Sequence, residues 1–263
     1  IYSIPGLKVH AKVALILRCH KDGRPKKSFA YISTGNFNEK TATVYADSAL
    51  FTSNEELVED LSNLFRLLRK EITEPKFKRL WVPRFNLLPE LKRRIGLEAN
   101  MALAGKKAHI ILKMNALQDP AMIDELYRAN EAGVQIDLIV RGICCLKPNQ
   151  PYSKNIRITR IVDSFLEHAR VWYFHNGGKP LVYMGSPDWM KRNLYRRIEA
   201  VTPILDSKLK QEMIDMLHIQ LADNQKAGWV NEKLQNKRKH DPHAMPVRSQ
   251  YAIYEYLKEK NER

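Results

Sequence analysis

One stretch of the chain decides the fold class: residues 109–140 have the sequence HIILKMNALQDPAMIDELYRANEAGVQIDLIV. The first six of these residues are mostly apolar, which is typical of a buried strand. Asp119-Pro120 supplies a capping side chain and a first-turn proline, so a helix is predicted from there to Gly133. A second apolar strand follows at residues 134–140. A strand, a helix and a strand in this order predict a largely parallel sheet with helices on its faces.

The same patterns extend this α/β fold in both directions. Upstream, they predict a hairpin that turns at residues 21–25, a third strand, and an amphipathic helix opened by a Ser53/Glu56 capping box. Downstream, they predict further strands and a helix that begins after Asp206. The predicted strands are 8–17, 28–33, 48–51, 109–114, 134–140, 156–161, 170–174, 181–184 and 199–203, and the predicted helices are 53–74, 89–103, 119–133 and 206–222.

A basic, aromatic and proline-punctuated segment, residues 75–89, separates the two groups of elements. It predicts a domain boundary. We expect residues 1–80 to be the C-terminal part of a first domain, residues 81–222 to be a second domain, and residues 223–263 to be a charged tail or peripheral helices. The chain starts at Ile1 and enters a strand almost at once, which leads us to expect a native sequence that continues upstream.

Composition indicates the kind of partner. The chain has 44 Lys and Arg against 29 Asp and Glu, a formal net charge of +15. Such a charge favours an anionic ligand: nucleic acid, a phosphate polymer, a nucleotide or an acidic lipid surface. No apolar run approaches the ~18–20 residues of a membrane-spanning helix. The three cysteines, two of them adjacent, cannot form a disulfide framework, which favours a reducing, cytoplasmic location.

Two stretches share one plan, and they carry the chemistry. In the first, His10-Ala11-Lys12 opens a strand, and the next strand ends at Ser33-Thr34-Gly35-Asn36. In the second, His168-Ala169-Arg170 opens a strand, and the next strand ends at Gly185-Ser186-Pro187-Asp188. Residues two apart in a strand point to the same side, so each imidazole is expected beside a cation facing one ligand. The sequence therefore predicts one active site made of two halves.

Paired histidines beside cations suit phosphoryl transfer. One imidazole can attack phosphorus while the other handles a proton, and Lys12 and Arg170 can hold the phosphoryl oxygens. One His-x-Lys pair would be weak evidence, because most histidines are surface or structural residues. Two copies in equivalent contexts make catalysis the better interpretation. The other histidines lack this context and are interpreted as structural, and the basic run 237–240 is interpreted as a solvated stretch.

A His-x-Lys pair followed by a Gly/Ser-Ser/Thr-x-Asn turn, present twice, resembles the phospholipase D superfamily. The acidic residue that the superfamily has downstream of the lysine is absent here, Arg170 replaces the second lysine, and Asp188 replaces the second asparagine. Four blocks are similar instead to the histidine-phosphorylated type of bacterial polyphosphate kinase, over residues 1 to about 205. These blocks are GLKVHAK (6–12), TGNFNEKTA (34–42), LIVRGICCL (138–146) and DWMKRNL (188–194).

The resemblance implies two phospholipase D-like α/β domains, the first truncated at its N-terminus, and it implies roles for individual residues. His10 matches the histidine that is phosphorylated during turnover. His168 matches the second catalytic histidine, an acid or base that also contacts the nucleotide. Tyr45 matches a nucleotide-contacting tyrosine and Arg141 a phosphate-contacting arginine. Further contacts with the phosphate chain are expected by position at Lys12, Asn36, Asn115 and Arg170.

The resemblance also implies a reaction: reversible transfer of the ATP γ-phosphate to inorganic polyphosphate through a phosphohistidine on His10, with Mg²⁺ on the nucleotide. The expected partners are ATP, ADP and polyphosphate, without nucleic acid, and the full-length enzyme is expected to be a homo-oligomer. Metal-contacting residues are expected upstream, so none is assigned in this chain. We expect a cytoplasmic protein and leave peripheral membrane association open.

Two other functions remain open at the level of sequence. The first is a phosphodiesterase or nuclease of the same superfamily, which would use the two histidines on a P–O ester. The second is a non-catalytic polyanion-binding module, whose affinity would fall linearly with the logarithm of salt concentration and would survive loss of both histidines.

Overall fold

The protein is described by a computed structural model that covers residues 6–22, 25–239 and 243–262. The start at Ile1, the centre of the predicted turn at residues 23–24, and His240 lie outside the described residues. The strands are β1 (Lys8–Val9), β2 (Lys12–Cys19), β3 (Pro25–Ser33), β4 (Tyr45–Ala46), β5 (Ala49–Thr52), β6 (His109–Met114), β7 (Gln135–Val140), β8 (Ile156–Ile161), β9 (Leu166–Glu167), β10 (Arg170–Phe174), β11 (Leu181–Gly185), β12 (Arg197–Ile198), β13 (Val201–Pro203), β14 (Ala227–Val230) and β15 (Asn236–Arg238). The helices are α1 (Glu39–Ala42), α2 (Glu55–Leu68), α3 (Leu87–Leu103), α4 (Pro120–Glu131), α5 (Lys191–Tyr195), α6 (Ser207–Ala222) and α7 (Ser249–Asn261).

The part of the chain before about residue 80, called the first half below, builds a three-stranded antiparallel sheet in the order β2-β3-β5. The rest of the chain is called the second half. Helix α2 packs on the three-stranded sheet through Leu61 and Leu64, which join Ile32 of β3 in one apolar cluster. The predicted Ser53 cap of this helix is wrong. Asn54 is the N-cap, and its side-chain oxygen accepts a hydrogen bond from Leu57 N at 3.1 Å. Asn and Ser cap helices about equally well, so the sequence alone does not choose between neighbours.

The second half builds an eight-stranded sheet in the order β13-β11-β10-β6-β7-β8-β14-β15. The βαβ unit predicted from residues 109–140 is confirmed: β6 and β7 run parallel, and Asp119 caps α4 by accepting from Met122 N. Strand β8 continues this parallel arrangement. The expectation of a largely parallel sheet is wrong, because the other neighbouring pairs in this eight-stranded sheet are antiparallel. The short connection between β10 and β11 is one reason, since so few residues can join only antiparallel strands.

Alternating side chains of the large sheet face two separate apolar layers. Ile110 and Leu112 of β6 pack with helices α3 and α4 on one face, and Ile111 packs with α6 on the other. This two-sided cover follows from the two-residue period of a strand. The predicted α/β class, a mixed sheet flanked by helices, is confirmed. No helix in the described part of the chain is long and apolar enough to span a membrane.

The charged C-terminal segment takes part in the sheet. Residues 227–238, placed in a tail or peripheral helices by the sequence, form β14 and β15, and β14 pairs with β8. Only Ala227 and Val230 of β14 are buried, and a strand of four residues is too short to stand out from its charged surroundings. Helix α7 then packs against α6.

Two short parallel pairings join the halves of the molecule. Strand β1 pairs with β12, with Val9 opposite Ile198, and β4 pairs with β9, with Ala46 opposite Glu167. In each pairing, one strand comes from the first half and the other from the second. The ends of these four strands therefore meet where the halves meet.

A buried carboxylate holds the segment between the halves. The carboxylate of Asp60 on α2 accepts hydrogen bonds from the backbone N–H groups of Lys78, Arg79 and Leu80, at 2.8, 2.6 and 2.8 Å. Asp60 is fully buried, and so is Leu80, whose N–H therefore has no water to replace this acceptor.

We expect Asp60→Ala to lower the free energy of unfolding by about 2–4 kcal/mol, because it leaves the buried N–H of Leu80 without an acceptor and removes two further hydrogen bonds. Urea unfolding of this chain measures the loss. The matched control is Glu59→Ala, which removes an exposed salt bridge to Lys78 and is expected to cost less than about 1 kcal/mol. Equal losses in the two variants would contradict the role given to Asp60.

Candidate active site

The first predicted histidine lies at the junction of the halves. The backbone N–H groups of His10 and Ala11 both donate to the carbonyl of Ile198, at 2.8 and 3.0 Å. The ring of His10 lies between two charged groups: Nδ1 is 2.8 Å from Glu199 Oε2, and Nε2 is 2.9 Å from Lys12 Nζ. The side chain of His10 is 24% exposed, so a ligand can reach it.

Glu199 is fully buried and is held by three polar side chains. Ser186 Oγ donates to the same oxygen that faces His10, and Asn193 Nδ2 donates to the other oxygen at 2.7 Å. An ionised carboxylate can only accept hydrogen bonds, so Nδ1 of His10 carries the proton. The other ring nitrogen, Nε2, therefore has a free lone pair and accepts from Lys12. This is the tautomer that a nucleophile needs.

The second predicted histidine has the same surroundings, with the halves exchanged. His168 N and Ala169 N donate to the carbonyl of Ala46, both at 3.0 Å. Nδ1 of His168 is 2.7 Å from Asp47 Oδ1, and Nε2 is 3.1 Å from Arg170 Nη1. Arg170 can only donate, so this imidazole is neutral and protonated on Nδ1 as well.

The supporting carboxylates follow one repeat that sequence reasoning missed. Thr34 Oγ1 donates to Asp47 at 2.8 Å, just as Ser186 donates to Glu199, and each pair is separated by 13 residues. Each carboxylate orients the histidine of the opposite half. The equal hydroxyl-to-carboxylate spacing in the two halves was the signal that could have found Asp47 and Glu199.

Charge and burial keep the His168 pair in a defined protonation state. Burial lowers the pKa of His168. The hydrogen bond with Asp47 opposes this shift, and the nearby Arg170 reinforces it. Burial also opposes ionisation of Asp47, but hydrogen bonds from His168 and Thr34 outweigh it, and the pKa of Asp47 lies below its ordinary value. An ionised Asp47 beside a neutral His168 is therefore the resting state near neutral pH, and the imidazole is free to accept a proton.

Lys12 is a buried cation whose charge is easily lost. Burial lowers the pKa of Lys12 from 10.5 to about 8; Glu199 opposes the shift, and Arg170 adds to it. Lys12 and Arg170 come from opposite halves, so the influence of Arg170 on the pKa of Lys12 places the two halves in one electrostatic environment.

The structure links most of the other predicted contacts to His168. The Tyr45 ring lies 4.7 Å from the His168 ring, measured between centroids. Arg141 Nε donates to Asn115 Oδ1 at 2.7 Å, and Asn115 Nδ2 donates to the His168 carbonyl at 3.3 Å. Asn115 and Arg141 directly follow the parallel strands β6 and β7, and this edge of an α/β sheet is where ligands bind.

The two turns at equivalent positions differ in what they contribute. Asp188 is buried; it accepts from Asn115 N at 2.7 Å and from Arg170 Nη2 at 3.1 Å, so it fixes the guanidinium next to His168. Its counterpart Asn36 is exposed and stands outside the hydrogen-bonded network around the histidines in the described residues.

The carboxylates of the site do not fit a resident Mg²⁺ ion. Asp47, Asp188 and Glu199 are each engaged by hydrogen-bond donors of the protein. Over residues 6–22, 25–239 and 243–262, no group of three or more His, Cys, Asp or Glu side chains is placed to hold a metal ion. The described side chains of the site therefore do not form a Mg²⁺ site by themselves.

Fold and site together define a class: α/β proteins of two halves that share one pocket with paired, carboxylate-oriented histidines. Two family models match the chain, "Polyphosphate kinase C-terminal domain 1" over residues 1–74 and "Polyphosphate kinase C-terminal domain 2" over residues 80–250. The chain belongs to the polyphosphate kinase family. The family resemblance predicted from the sequence is confirmed.

Individual relatives agree with the family models. The polyphosphate kinase of Vibrio cholerae is 44% identical over 98% of this chain, and that of Escherichia coli K12 is 41% identical over the same share. The crystal structure of polyphosphate kinase from Porphyromonas gingivalis superposes with a TM-score of 0.95 at 53% identity over all of this chain. The chain spans 37% of the length of the two curated relatives and 40% of the crystallised one.

Proposed function

We propose that this chain is the catalytic region of a polyphosphate kinase, which transfers the γ-phosphoryl group of ATP reversibly to inorganic polyphosphate through a phosphohistidine on His10. One observation carries the proposal: both histidines present Nε2 beside a cation while a carboxylate from the opposite half holds Nδ1. The names of the relatives support ATP and polyphosphate as the substrates.

In the first step, the Nε2 lone pair of His10 attacks the γ-phosphorus of ATP. The bond from that phosphorus to the bridging oxygen breaks, and ADP leaves with the electron pair. Lys12 turns from Nε2 to the phosphoryl oxygens and stabilises their charge. The phosphorylated imidazole keeps its Nδ1 proton and is cationic, so the buried Glu199 stabilises it. Mg²⁺ bound to the nucleotide would supply positive charge to its phosphate oxygens.

In the second step, a terminal oxygen of polyphosphate attacks the phosphorus on His10. The neutral His168 accepts the proton of that oxygen at Nε2, and Asp47 stabilises the imidazolium that forms. The bond from His10 to phosphorus breaks, and its electron pair returns to Nε2. The chain is longer by one unit, and the same steps in reverse make ATP from ADP.

The remaining predicted residues bind and orient the substrates in this proposal. Arg170 and Arg141 hold phosphate oxygens, with Asn115 fixing the guanidinium of Arg141, and Tyr45 contacts the nucleotide next to His168. The exposed Asn36 is kept as an outer contact of the phosphate chain. The division at about residue 80, an oligomeric full-length enzyme and a cytoplasmic location, with or without peripheral membrane association, also stay proposals.

We expect the affinity for polyphosphate to fall as the pH rises through about 8, the pKa of Lys12 in the free site. Lys12 is charged below that pH and loses its charge above it, so each further pH unit weakens binding by up to about tenfold. Affinities measured from pH 7 to 10 test this. In Lys12→Arg the cation stays charged, so the affinity is expected to change much less; an identical fall in both proteins would assign the effect to another group.

Loss of the second histidine is expected to slow turnover without preventing phosphorylation of the first. His168→Ala should lower kcat by about 10²–10⁴, the usual contribution of one general acid or base. Rapid-quench experiments with labelled ATP would show the phosphohistidine accumulating, because its transfer to polyphosphate is the impaired step. A variant that turns over normally would remove His168 from the mechanism.

The proposed function is tested by offering the full-length protein three substrates separately: γ-labelled MgATP, DNA and a phospholipid. An acid-labile label on the chain, transferred on to added polyphosphate, supports the kinase. Cleavage of DNA or lipid without such a label supports a phosphodiesterase instead. Polyphosphate binding without any reaction supports a module that only binds polyanions.

A further inference from the structure

Three strands of the large sheet align two arginines across a glycine. Gly228 of β14 lies opposite Arg160 of β8 and also opposite Arg238 of β15. Residues directly opposite one another in a sheet point to the same face, so both guanidinium groups stand on one side of the sheet, with no side chain between them. Lys226 lies two residues before Gly228 and borders the same space.

A cavity of about 380 Å³ lies over this row and is lined by Arg160, Lys226 and Arg238. The other described residues that line it are uncharged, and none is aromatic. Of the described carboxylates near Lys226, Asp163 is bound by Arg248 at 2.6 and 2.9 Å, and Asp223 accepts backbone N–H groups, among them that of Lys226 at 2.7 Å. The three cations therefore keep their charge toward solvent.

Arg160 connects this cavity to the active site. Its guanidinium donates to the carbonyls of Val140 and Gly142, at 3.2 and 2.7 Å, and to Asn236 Oδ1 at 3.1 Å. All three acceptors are neutral, so the charge of Arg160 is oriented but not compensated. Val140 and Gly142 flank Arg141, the proposed phosphate contact, and a neighbouring cavity lined by Arg141 shares Val162 with this one.

We propose that Arg160, Lys226 and Arg238 form an outer binding track for the polyphosphate chain, next to the Arg141 side of the active site. This inference rests on the proposed function and adds to it a surface that holds the part of a long chain lying outside the pocket. Three cations without a carboxylate suit a uniform phosphate polymer. Single-stranded nucleic acid fits this cavity less well, because the described lining has no aromatic ring on which bases could stack.

The test uses the full-length protein with Lys226→Gln and Arg238→Gln combined. Affinity is measured for polyphosphate of roughly 100 units, for tripolyphosphate and for single-stranded RNA. Loss of two charge contacts is expected to weaken binding of the long chain by about 5–30-fold. It should also reduce the slope of log affinity against log salt by ~1.4. Tripolyphosphate binding and labelling of His10 by ATP are expected to change by less than about twofold.

The matched control is Lys237→Gln. Lys237 is next to Arg238 on β15 and is exposed, but it lies opposite Trp229 and therefore points to the other face of the sheet. Its loss is expected to leave the affinity for long polyphosphate within about twofold of that of the unsubstituted protein. The track would be overturned if this control lost as much long-chain affinity as the double variant. It would also be overturned if the double variant lost tripolyphosphate affinity equally, or lost no affinity for the long chain.

Two further outcomes separate this inference from the function on which it rests. RNA binding as tight as that of polyphosphate, with the same dependence on Lys226 and Arg238, would overturn the assignment to polyphosphate. A full-length protein that forms no phosphohistidine, yet binds long polyphosphate through these two side chains, would contradict the kinase and support the track.

Discussion

His10→Gln is expected to abolish the acid-labile phosphate on the full-length protein and to lower turnover by about 10⁴-fold or more. Glutamine has no imidazole nitrogen with which to form the bond to phosphorus, although it can still reach Glu199 and Lys12. Binding of polyphosphate should persist, since the cations of the site remain. Labelling with γ-labelled ATP followed by mass spectrometry measures the phosphoenzyme directly.

The matched control for this substitution is His109→Gln. His109 Nε2 lies 2.7 Å from Asp137, so this histidine is also paired with a carboxylate, but it lies at the start of β6, outside the proposed site. We expect normal labelling in this variant. Full labelling of the His10→Gln protein would contradict the assignment of the nucleophile.

Glu199→Gln is expected to slow phosphorylation of His10 by about 10²–10⁴, even though the change is nearly isosteric. An amide at this position can donate as well as accept, so His10 is no longer held with its proton on Nδ1. It also lacks the charge that stabilises a phosphorylated, cationic imidazole. Single-turnover rates of labelling from ATP measure the step, and circular dichroism checks that the variant is folded.

Asp47→Asn provides the complementary comparison, because Asp47 orients His168 rather than His10. We expect this variant to form the phosphohistidine and to transfer it slowly to polyphosphate. The pair thus separates the two halves of the reaction. If both substitutions slowed the same step by the same factor, the proposed division of roles between the histidines would be wrong.

The two histidine motifs are visible in the sequence because their pattern is local. His10 and Lys12, or His168 and Arg170, are two residues apart in a strand, and strand geometry alone brings them together. The carboxylates that orient these histidines could not be predicted in this way. Glu199 lies 189 residues from His10, and Asp47 lies 121 residues from His168. Each pair forms only because the halves are joined by parallel pairings that local patterns do not reveal.

The local units of the fold could likewise be predicted from the sequence, whereas the order of strands in the large sheet could not. The βαβ unit at residues 109–140 follows from apolar runs, a capped helix and a terminal glycine, and these signals agree with one another. The mixed order of the sheet depends on which strand edge the β10–β11 hairpin joins, and that choice is made by tertiary packing. Strand β14 was missed because a four-residue strand in a charged segment has almost no pattern of its own.

In the proposed mechanism, Glu199 fixes the Nδ1 proton of His10 and so leaves Nε2 as the nucleophile. The most direct measurement is ¹⁵N–³¹P NMR of the full-length protein, labelled in its histidines and phosphorylated with MgATP. We expect one phosphohistidine, on His10, with phosphorus bonded to Nε2. Phosphorus on Nδ1 of His10, or on His168, would contradict this mechanism.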